Sequence, residues 1–259
     1  ARETAARVAA GSIARRLLEE IGISIHSRSV ATGDQDGREV ATEDVDWNVV
    51  EASEVRASDL DADVRFKAAI DKSKAARTTI GGVFEVVAFG APVGLGSHVH
   101  WDRKLDARLA HAMMSINAVK GVEIGTGFAN TRKPGREVQD VIEPDPSDPR
   151  KFRQISNHAG GIEGGMSNGN PIVVNVAIKP IATMTNPLPS VDINTGELVD
   201  AAYNRSDICQ VARACPVGEA MMALVLVEAM LEKFGGDSLD EIKRNYAGYV
   251  ESHQAFGNS

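Results

Sequence analysis

The sequence predicts an α+β protein in which helices near both ends of the chain flank a region of strands. Apolar residues recur about every four positions over 2–21 and again over 217–234, a spacing typical of helices. Between them, 82–95 and 172–178 carry runs of β-branched and aromatic residues bounded by glycine or proline, as buried strands do. The two patterns together indicate a mixed fold.

The composition is that of an ordinary globular protein. Apolar residues make up 43% and charged residues 25% of the 259 positions, so the chain can bury a substantial core. We expect a single domain over 1–259. The net charge of −8 disfavours binding to nucleic acid or to anionic membranes, although a local basic pocket can still bind a small anion.

The cysteine usage and the apolar runs indicate a cytoplasmic protein. Cys209 and Cys215 are too few for a disulfide framework and their spacing fits no common zinc motif, so we expect small buried side chains. A reducing compartment fits this usage. The apolar runs are shorter than the ~18 residues that a membrane-spanning helix needs, and no signal peptide is visible.

The first third of the chain is predicted to hold a helix, a strand and short surface helices. The helix covers 2–21 and should bury one stripe of residues, namely Ala5, Ala9, Ile13, Leu17 and Ile21. Ile23 and Ile25 alternate with polar residues and predict a strand. The acidic segment 32–78 predicts short helices on the surface, and 82–95 predicts a buried strand or hairpin.

The middle of the chain is predicted to alternate between one helix, loops and one strand. Asp102 is expected to cap a helix with the buried face Leu105, Leu109, Met113 and Ile116. The polar segment 121–150 predicts a loop and an exposed hairpin. The glycine-rich run 157–169 predicts a tight turn at Asn168-Gly169, before a strand over 172–178.

The last quarter is predicted to be helical. Pro216 should stand in the first turn of a long helix that ends at Gly235-Gly236. The buried face of this helix would be Val217, Met221, Leu224, Val227, Leu231 and Phe234. Ser238 begins a capping box for a final helix over 238–249, and the tail beyond about 250 is expected to fray.

Local motifs point to a small anionic ligand without identifying a reaction. The glycines of 157–169 and the later Lys179 can bring backbone N–H groups and a cation to a sheet edge. Arg205 and Asp207 combine an anion-binding guanidinium with a candidate base, and Arg2 stands at a helix N-terminus. Each motif is also typical of ordinary hairpins and surface ion pairs.

A metal site is one alternative that the motifs leave open. His98 and His100, two residues apart on a strand, would place both imidazoles on one face. No other cluster of histidines or carboxylates has ligand spacing. A polar network is therefore the favoured interpretation of these two histidines.

Five stretches of the sequence, in one order, resemble chorismate synthase, most closely its actinobacterial form. They are ARETAARVAAG (1–11), GGVFEVVAFGAPVGLGSHVHWDRKLDARLAHAMMSINAVKGVEIGTGF (81–128), NHAGGIEGGMSNGNPIVVNVAIKPIATM (157–184), YNRSDIC (203–209) and GEAMMALVLVEAMLEKFGGDSLDEI (218–242). The resemblance covers nearly the whole chain up to about 245, and it is specific because long segments agree.

The resemblance implies a fold and an activity. The fold would be a β-α-β sandwich, with helices packed between antiparallel sheets and an internal duplication. A weak repeat agrees with this, since a Gly-Gly-led strand precedes an Ala-Met-Met helix at 81–114 and at 164–222. The activity would be that of a carbon–oxygen lyase acting on phosphates. It would convert 5-enolpyruvylshikimate 3-phosphate to chorismate by anti-1,4-elimination, in the shikimate pathway, with reduced FMN and no net redox change. A cytoplasmic homotetramer is implied as well, with NADPH as an associated nucleotide.

The resemblance also implies roles for single positions. Those that match flavin contacts are Asn117, Ala118, Gly164, Lys179, Pro180, Ile181, Ala182, Thr183 and Arg205. Arg2 and Arg205 match arginines that bind the substrate. Asp207 matches a catalytic aspartate that helps a proton depart from the flavin N5. No metal is implied.

Family members carry an additional N-terminal part with a G-E-S-H-G-like motif and two catalytic histidines, which has no counterpart in these 259 residues. We therefore expect this chain to be the C-terminal two-thirds of the enzyme and to be inactive alone. A non-catalytic module that binds FMN or another anion is the alternative.

Overall fold

The computed structural model describes residues 2–145, 148–203 and 207–254, with the side chains of 2, 148–151, 253 and 254 left out. Its helices are α1 (Arg2–Glu19), α2 (Trp47–Ala52), α3 (Leu60–Ala75), α4 (Leu105–Met114), α5 (Gly127–Asn130), α6 (Val211–Phe234) and α7 (Leu239–Gln254). Its strands are β1 (Ser24–Thr32), β2 (Gln35–Asp36), β3 (Gly82–Phe89), β4 (Val119–Ile124), β5 (Ile142–Asp145), β6 (Asp148–Gln154), β7 (Ile162–Glu163), β8 (Met166–Ser167), β9 (Ile172–Ile178), β10 (Pro189–Val191) and β11 (Leu198–Asp200). The predicted α+β class is confirmed.

Five antiparallel strands form the main sheet, in the order β2-β1-β3-β9-β4. Strand β9 lies between its two partners, with Val174 opposite Val86 of β3 and Val176 opposite Val122 of β4. Alternate residues of these strands pack against α1, α4 and α6 and form the main core. The hairpins β5–β6, β7–β8 and β10–β11 are separate two-stranded sheets.

The predicted repeat has a counterpart in this architecture. Strands β3 and β9, one from each copy of the repeat, are neighbours in the sheet. The helices α4 and α6, which carry the two Ala-Met-Met triplets, pack against each other. The arrangement agrees with the internal duplication that the resemblance implies.

Helix α1 lies where it was predicted, but the predicted buried stripe is correct only at its end, where Ile21 is buried and Leu17 is partly buried. Ile13 is 75% exposed, whereas Ala14 and Leu18 are buried. Gly11 faces α6 so closely that a Cβ there would lie 2.4 Å from the Cβ of Ala220. Because small residues allow this close approach, the buried stripe runs through Gly11 rather than through the larger Ile13.

Helix α6 is longer and more deeply buried than predicted. It begins at Val211, so Pro216 lies inside the helix and not in its first turn. Its buried residues surround most of its circumference, and Leu231 of the predicted buried face is exposed. By length and composition α6 could cross a membrane, but 67% of the apolar window is buried within the protein, as in a core helix.

Other expectations differ from the structure in detail. The four residues of the predicted α4 face are buried, but Lys104 is the N-cap and Asp102 makes no capping bond. The segment 82–95 contributes one strand, and 121–150 contributes part of β4 as well as the exposed hairpin. The last helix begins as predicted after Ser238, whose Oγ accepts the N–H of Glu241, but it continues to Gln254.

Candidate functional site

Two segments with predicted cofactor contacts meet at one end of the main sheet, where β9 ends and β4 begins. The backbone N–H of Lys179 donates to the carbonyl oxygen of Ala118 at 2.9 Å. The next pair in the ladder is Val119 opposite Ile178. Two segments therefore lie side by side at this end of the sheet: Asn117-Ala118, which leads into β4, and Lys179–Thr183, which follows β9.

A third segment, residues 77–81, lies along the same edge just before β3. Thr79 Oγ1 donates to the carbonyl oxygen of Ile181 at 2.6 Å, and Arg77 Nη2 donates to that of Thr185 at 3.1 Å. A Cβ at Gly81 would lie 2.3 Å from the Ile178 carbonyl oxygen, so only glycine permits this approach. These contacts fix the backbone that follows Lys179.

The same edge also holds the predicted catalytic aspartate. The N–H of Ile80 donates to the carbonyl oxygen of Ile208 at 2.9 Å, which brings Asp207 beside the segment 77–81. The Asp207 carboxylate pairs with Arg213 in the first turn of α6. Asp207 is about half exposed, so its carboxylate is open to a ligand.

Backbone conformations at this sheet end are unusual for residues with a side chain. Ala118 has φ +67° and Arg77 has φ +58°, both in the left-handed region that favours glycine. Such conformations persist where the surrounding contacts hold them, and they cluster at functional sites. At Ala118 the contact is the hydrogen bond from Lys179.

Two lysines at this end of the sheet contrast with Asp207, whose carboxylate is paired. Lys120 and Lys179 are exposed, and neither forms a salt bridge within the part of the chain that the structure describes. Lys120 is the extra residue of a β-bulge between Val119 and Gly121, at the start of β4. Two unpaired cations in a protein of net charge −8 make this edge suited to an anionic ligand.

The two cysteines do not add a nucleophile. Burial raises the pKa of the Cys209 thiol, which lies two residues after Asp207. Burial also raises the pKa of Cys215 to about 12, and its Sγ lies 3.6 Å from the Val211 carbonyl oxygen inside α6. Since the thiolate is the reactive form, neither thiol is favoured as a nucleophile; Cys215 is buried, as the sequence predicts, and Cys209 is partly buried.

Comparison with known proteins identifies the family of this chain. The family model described as "Chorismate synthase" matches residues 1–231. The chain belongs to the chorismate synthase family. Curated chorismate synthases from Geobacter sulfurreducens, Frankia casuarinae and Saccharopolyspora erythraea are 50%, 48% and 51% identical to it over 99%, 97% and 96% of its length.

A solved structure supports the same conclusion. A crystal structure of chorismate synthase is 40% identical, covers 98% of this chain and superposes with a TM-score of 0.83. The chain spans 63–67% of the length of those three relatives and 70% of that solved chain. The family is one of flavin-requiring lyases that act on a small molecule.

One residue that the resemblance to chorismate synthase assigns to the flavin lies away from this end of the sheet. Gly164 is in the two-residue turn between β7 and β8, where the tight turn forms instead of at Asn168-Gly169. Gly165 there accepts the N–H of Leu105, the first residue of α4, whereas Asn117 follows the other end of α4. A ten-residue helix is about 15 Å long, so one chain holds Gly164 well away from Lys179.

The resemblance assigns two arginines, Arg2 and Arg205, to the substrate. Arg205 lies outside the described residues, and of Arg2 only the backbone is described, in the first turn of α1. The predicted metal alternative gains no support, because His98 and His100 lie before a 3₁₀ turn and not on a strand. Within residues 2–145, 148–203 and 207–254 there is no group of three ligating side chains.

Several residues of this chorismate synthase edge were missed by the sequence patterns. They are Arg7, Thr79, Gly81, Ser115 and Lys120. Except at Lys120, which lies in the bulge, their contacts join positions about 100 residues apart, such as Arg7 with Ser115 and Thr79 with Ile181, so no local spacing reveals them. The one available signal was Gly81 directly before a buried strand, which is typical of close backbone approach.

Proposed function

We propose that this protein converts 5-enolpyruvylshikimate 3-phosphate to chorismate and phosphate by anti-1,4-elimination, in the cytoplasm. The observation that carries the proposal is the hydrogen bond between Ala118 and Lys179, which joins the two flavin-matching segments beside Asp207. In the reaction the C–O bond to phosphate and the C–H bond at C6 break, and a new C=C bond forms. The substrate and products together carry no net redox change.

The residues at the sheet end suit a reduced FMN cofactor. Lys179 supplies a cation without an ion-pair partner among the described residues, next to exposed backbone at Pro180 and Ala182. The positions that would hold the cofactor are Asn117, Ala118, Lys179, Pro180, Ile181, Ala182 and Thr183, with Gly164 and Arg205. The chemistry that a bound reduced FMN would supply is transient electron density for the elimination, with no net change in its oxidation state.

The side chains of this chain would act through charge and proton transfer. Arg2 and Arg205 would bind the phosphate and carboxylate groups of the substrate, since a guanidinium matches both. Cations fixed where phosphate leaves stabilise the developing charge, which is usually a large catalytic contribution. An Asp207 carboxylate oxygen would accept a proton during the elimination, with Arg213 orienting the carboxylate.

A homotetramer is part of the proposal, and exposed hairpins support self-association. The β10–β11 hairpin exposes large apolar side chains, among them Val191, Leu198 and Val199. An isolated two-stranded hairpin is marginal in water unless a further surface covers it. A second copy of the chain that covers this hairpin would bury those side chains. It could also bring a distant position such as Gly164 towards a neighbouring site.

The test is anaerobic turnover with chemically reduced FMN, followed by the absorbance of chorismate. Chorismate formation that needs both reduced FMN and the substrate is the expected result for the whole enzyme. The control is oxidised FMN under the same conditions. FMN binding without turnover, even after the remaining third of a relative is supplied in trans, would instead favour a non-catalytic binding module.

A further inference from the structure

The guanidinium of Arg7 joins three helices at the edge of the candidate site. Its Nη1 donates to Ser115 Oγ at 2.8 Å and to the Ser115 carbonyl oxygen at 3.4 Å, across 108 residues of sequence. The same nitrogen lies 3.8 Å from the sulfur of Met221 in α6, and Nε pairs with Glu3 in α1. The Arg7 side chain is 24% exposed; its contact with Met221 is partly buried, whereas its contacts with Ser115 and Glu3 lie at the surface.

Ser115 is the residue that ends α4. Its N–H donates to the His111 carbonyl oxygen, and its Oγ donates to that of Ala112 at 2.6 Å. The hydroxyl group therefore donates its only hydrogen to a carbonyl oxygen of its own helix. It accepts the hydrogen bond from Arg7 with an oxygen lone pair. A guanidinium is also favoured here because the end of a helix carries partial negative charge.

The turn after Ser115 leads directly to the cofactor segment. Ile116 is buried in the core and its carbonyl oxygen accepts the N–H of Val119, so only the four residues 115–118 separate α4 from β4 in this tight turn. Ala118 within it is left-handed and is held at its far side by Lys179. The turn is thus fixed at its end by Lys179 and at its start by Arg7.

We propose that Arg7 is a positioning residue that holds the turn bearing Asn117 and Ala118 against the first turns of α1. The inference rests on the proposed function only for its effect on the cofactor, because Asn117 and Ala118 are proposed flavin contacts. It couples the helix end that carries Arg2 to the cofactor segment through one side chain.

The experiment compares Arg7→Met with Arg16→Met in the same helix. Arg16 forms ion pairs with Glu19 and Glu20 on the exposed side of α1 and does not touch α4, so it is a matched control. FMN affinity is measured by fluorescence quenching, and amide hydrogen exchange is followed over residues 115–119. Arg7→Lys tests rescue, since an ammonium keeps the charge but not the fork of donors.

Arg7→Met is expected to weaken FMN binding about five- to tenfold, the effect of losing one hydrogen bond of ordinary net strength. Exchange over 115–119 should speed up in Arg7→Met and stay unchanged in Arg16→Met, and Arg7→Lys should recover part of both effects. The double variant Arg7→Met/Ser115→Ala should lose less FMN affinity than the sum of the losses in the two single variants.

Equal behaviour of Arg7→Met and Arg16→Met in both measurements would overturn the inference. So would faster exchange spread evenly over α1 and α4, since that is a general loss of stability. If the unmodified protein fails to bind FMN, the proposed function fails, while the exchange over 115–119 still decides whether Arg7 holds the turn.

Discussion

Two regions of this molecule differ in how their charged residues are paired and buried. Near β1, Glu219 of α6 is 5% exposed, and its carboxylate accepts from Ser27 at 2.6 Å, from Arg15 at 2.5 Å and from Arg56 at 3.1 Å. At the sheet end, Lys179 is exposed and pairs with no described carboxylate. We refer to the first set as the Glu219 network.

The difference distinguishes charges that are buried among partners in the fold from charges that we propose bind a ligand. A buried charge is tolerated when partners surround it, and removing one partner leaves the others unpaired. The buried pair Arg28 and Glu85, 2.9 Å apart, follows the same rule with additional contacts to Val40 and Thr42. Lys120 and Lys179 at the sheet end have no such partner among the described residues, which supports the proposal that an anionic ligand binds there.

The largest expected effect comes from breaking the Glu219 network. Glu219→Gln should lower the free energy of unfolding by about 3–5 kcal/mol, because Arg15 and Arg56 lose their shared counter-charge. Urea denaturation measures this. Glu228→Gln, at a 74% exposed position of the same helix, should cost about 1 kcal/mol at most. A loss below about 1 kcal/mol for Glu219→Gln would contradict the comparison.

The next effect is on turnover and not on stability. Asp207→Asn should lower the rate of chorismate formation roughly a hundredfold or more, since the amide keeps its size but cannot accept the proton. FMN affinity and the free energy of unfolding should change little, because the Asp207–Arg213 pair is exposed. Stopped-flow and equilibrium titration measure the two quantities. Unchanged turnover would rule out the proposed role of Asp207.

Removing the Lys179 charge at the sheet end should change the affinity for FMN and not the stability of the fold. Lys179→Met is expected to weaken FMN binding about tenfold by removing a charge–phosphate contact, while thermal stability stays within error. Lys133→Met, a change at another exposed lysine, is the matched control. If Lys179→Met destabilised the fold as Glu219→Gln does, the distinction between the two regions would fail.

A smaller effect is expected from the backbone of Ala118. Ala118→Gly should raise the free energy of unfolding by up to about 1 kcal/mol, because glycine adopts φ +67° without strain. Ala107→Gly, at an exposed position within α4, should instead lower it by about 1 kcal/mol. Thermal melts of the two variants give the comparison, and two losses of equal size would show that Ala118 is unstrained.

The smallest expected effect is on the pH dependence of the unfolding free energy, through a histidine near the Glu219 network. Burial lowers the pKa of His26, which stacks on Trp47 at 4.8 Å, and the nearby charges are Arg15, Arg56 and Glu51. The unfolded chain therefore binds a proton first, so stability is present above pH ~6.5 and is lost as the pH falls towards the folded pKa.

His26→Phe, which keeps the stacking, should weaken this pH dependence of the unfolding free energy. The measurement is urea denaturation at a series of pH values between about 5 and 7.5. Parallel curves for the variant and the unmodified protein would show that His26 does not titrate differently on folding.

The sequence predicts features that depend on local spacing. The buried face of α4 follows from the four-residue repeat beginning at Leu105, and β9 follows from alternation starting at Ile172; both agree with the structure. The resemblance was carried by long stretches, and the match over residues 1–231 confirms the family. The positions around Lys179 came from that resemblance, because a lysine after a strand is common on any surface.

The features that sequence patterns missed depend on distant partners. The buried stripe of α1 is set by the close approach of Gly11 to Ala220, which a helical repeat cannot anticipate. Pro216 is accommodated inside α6 although it usually marks a helix start. The contact of Arg7 with Ser115 spans 108 residues, and only the fold brings the two together.

The position of β9 in the sheet has a consequence for how the chain folds during synthesis. Strands β3 and β4 each pair with β9 and not with one another, and β9 starts about 50 residues after β4 begins. At about 5–20 residues per second, a ribosome needs roughly 3–10 s to supply it. During that interval the edges of β3 and β4 that later pair with β9 are unpaired, so chaperone binding is expected at this stage of translation.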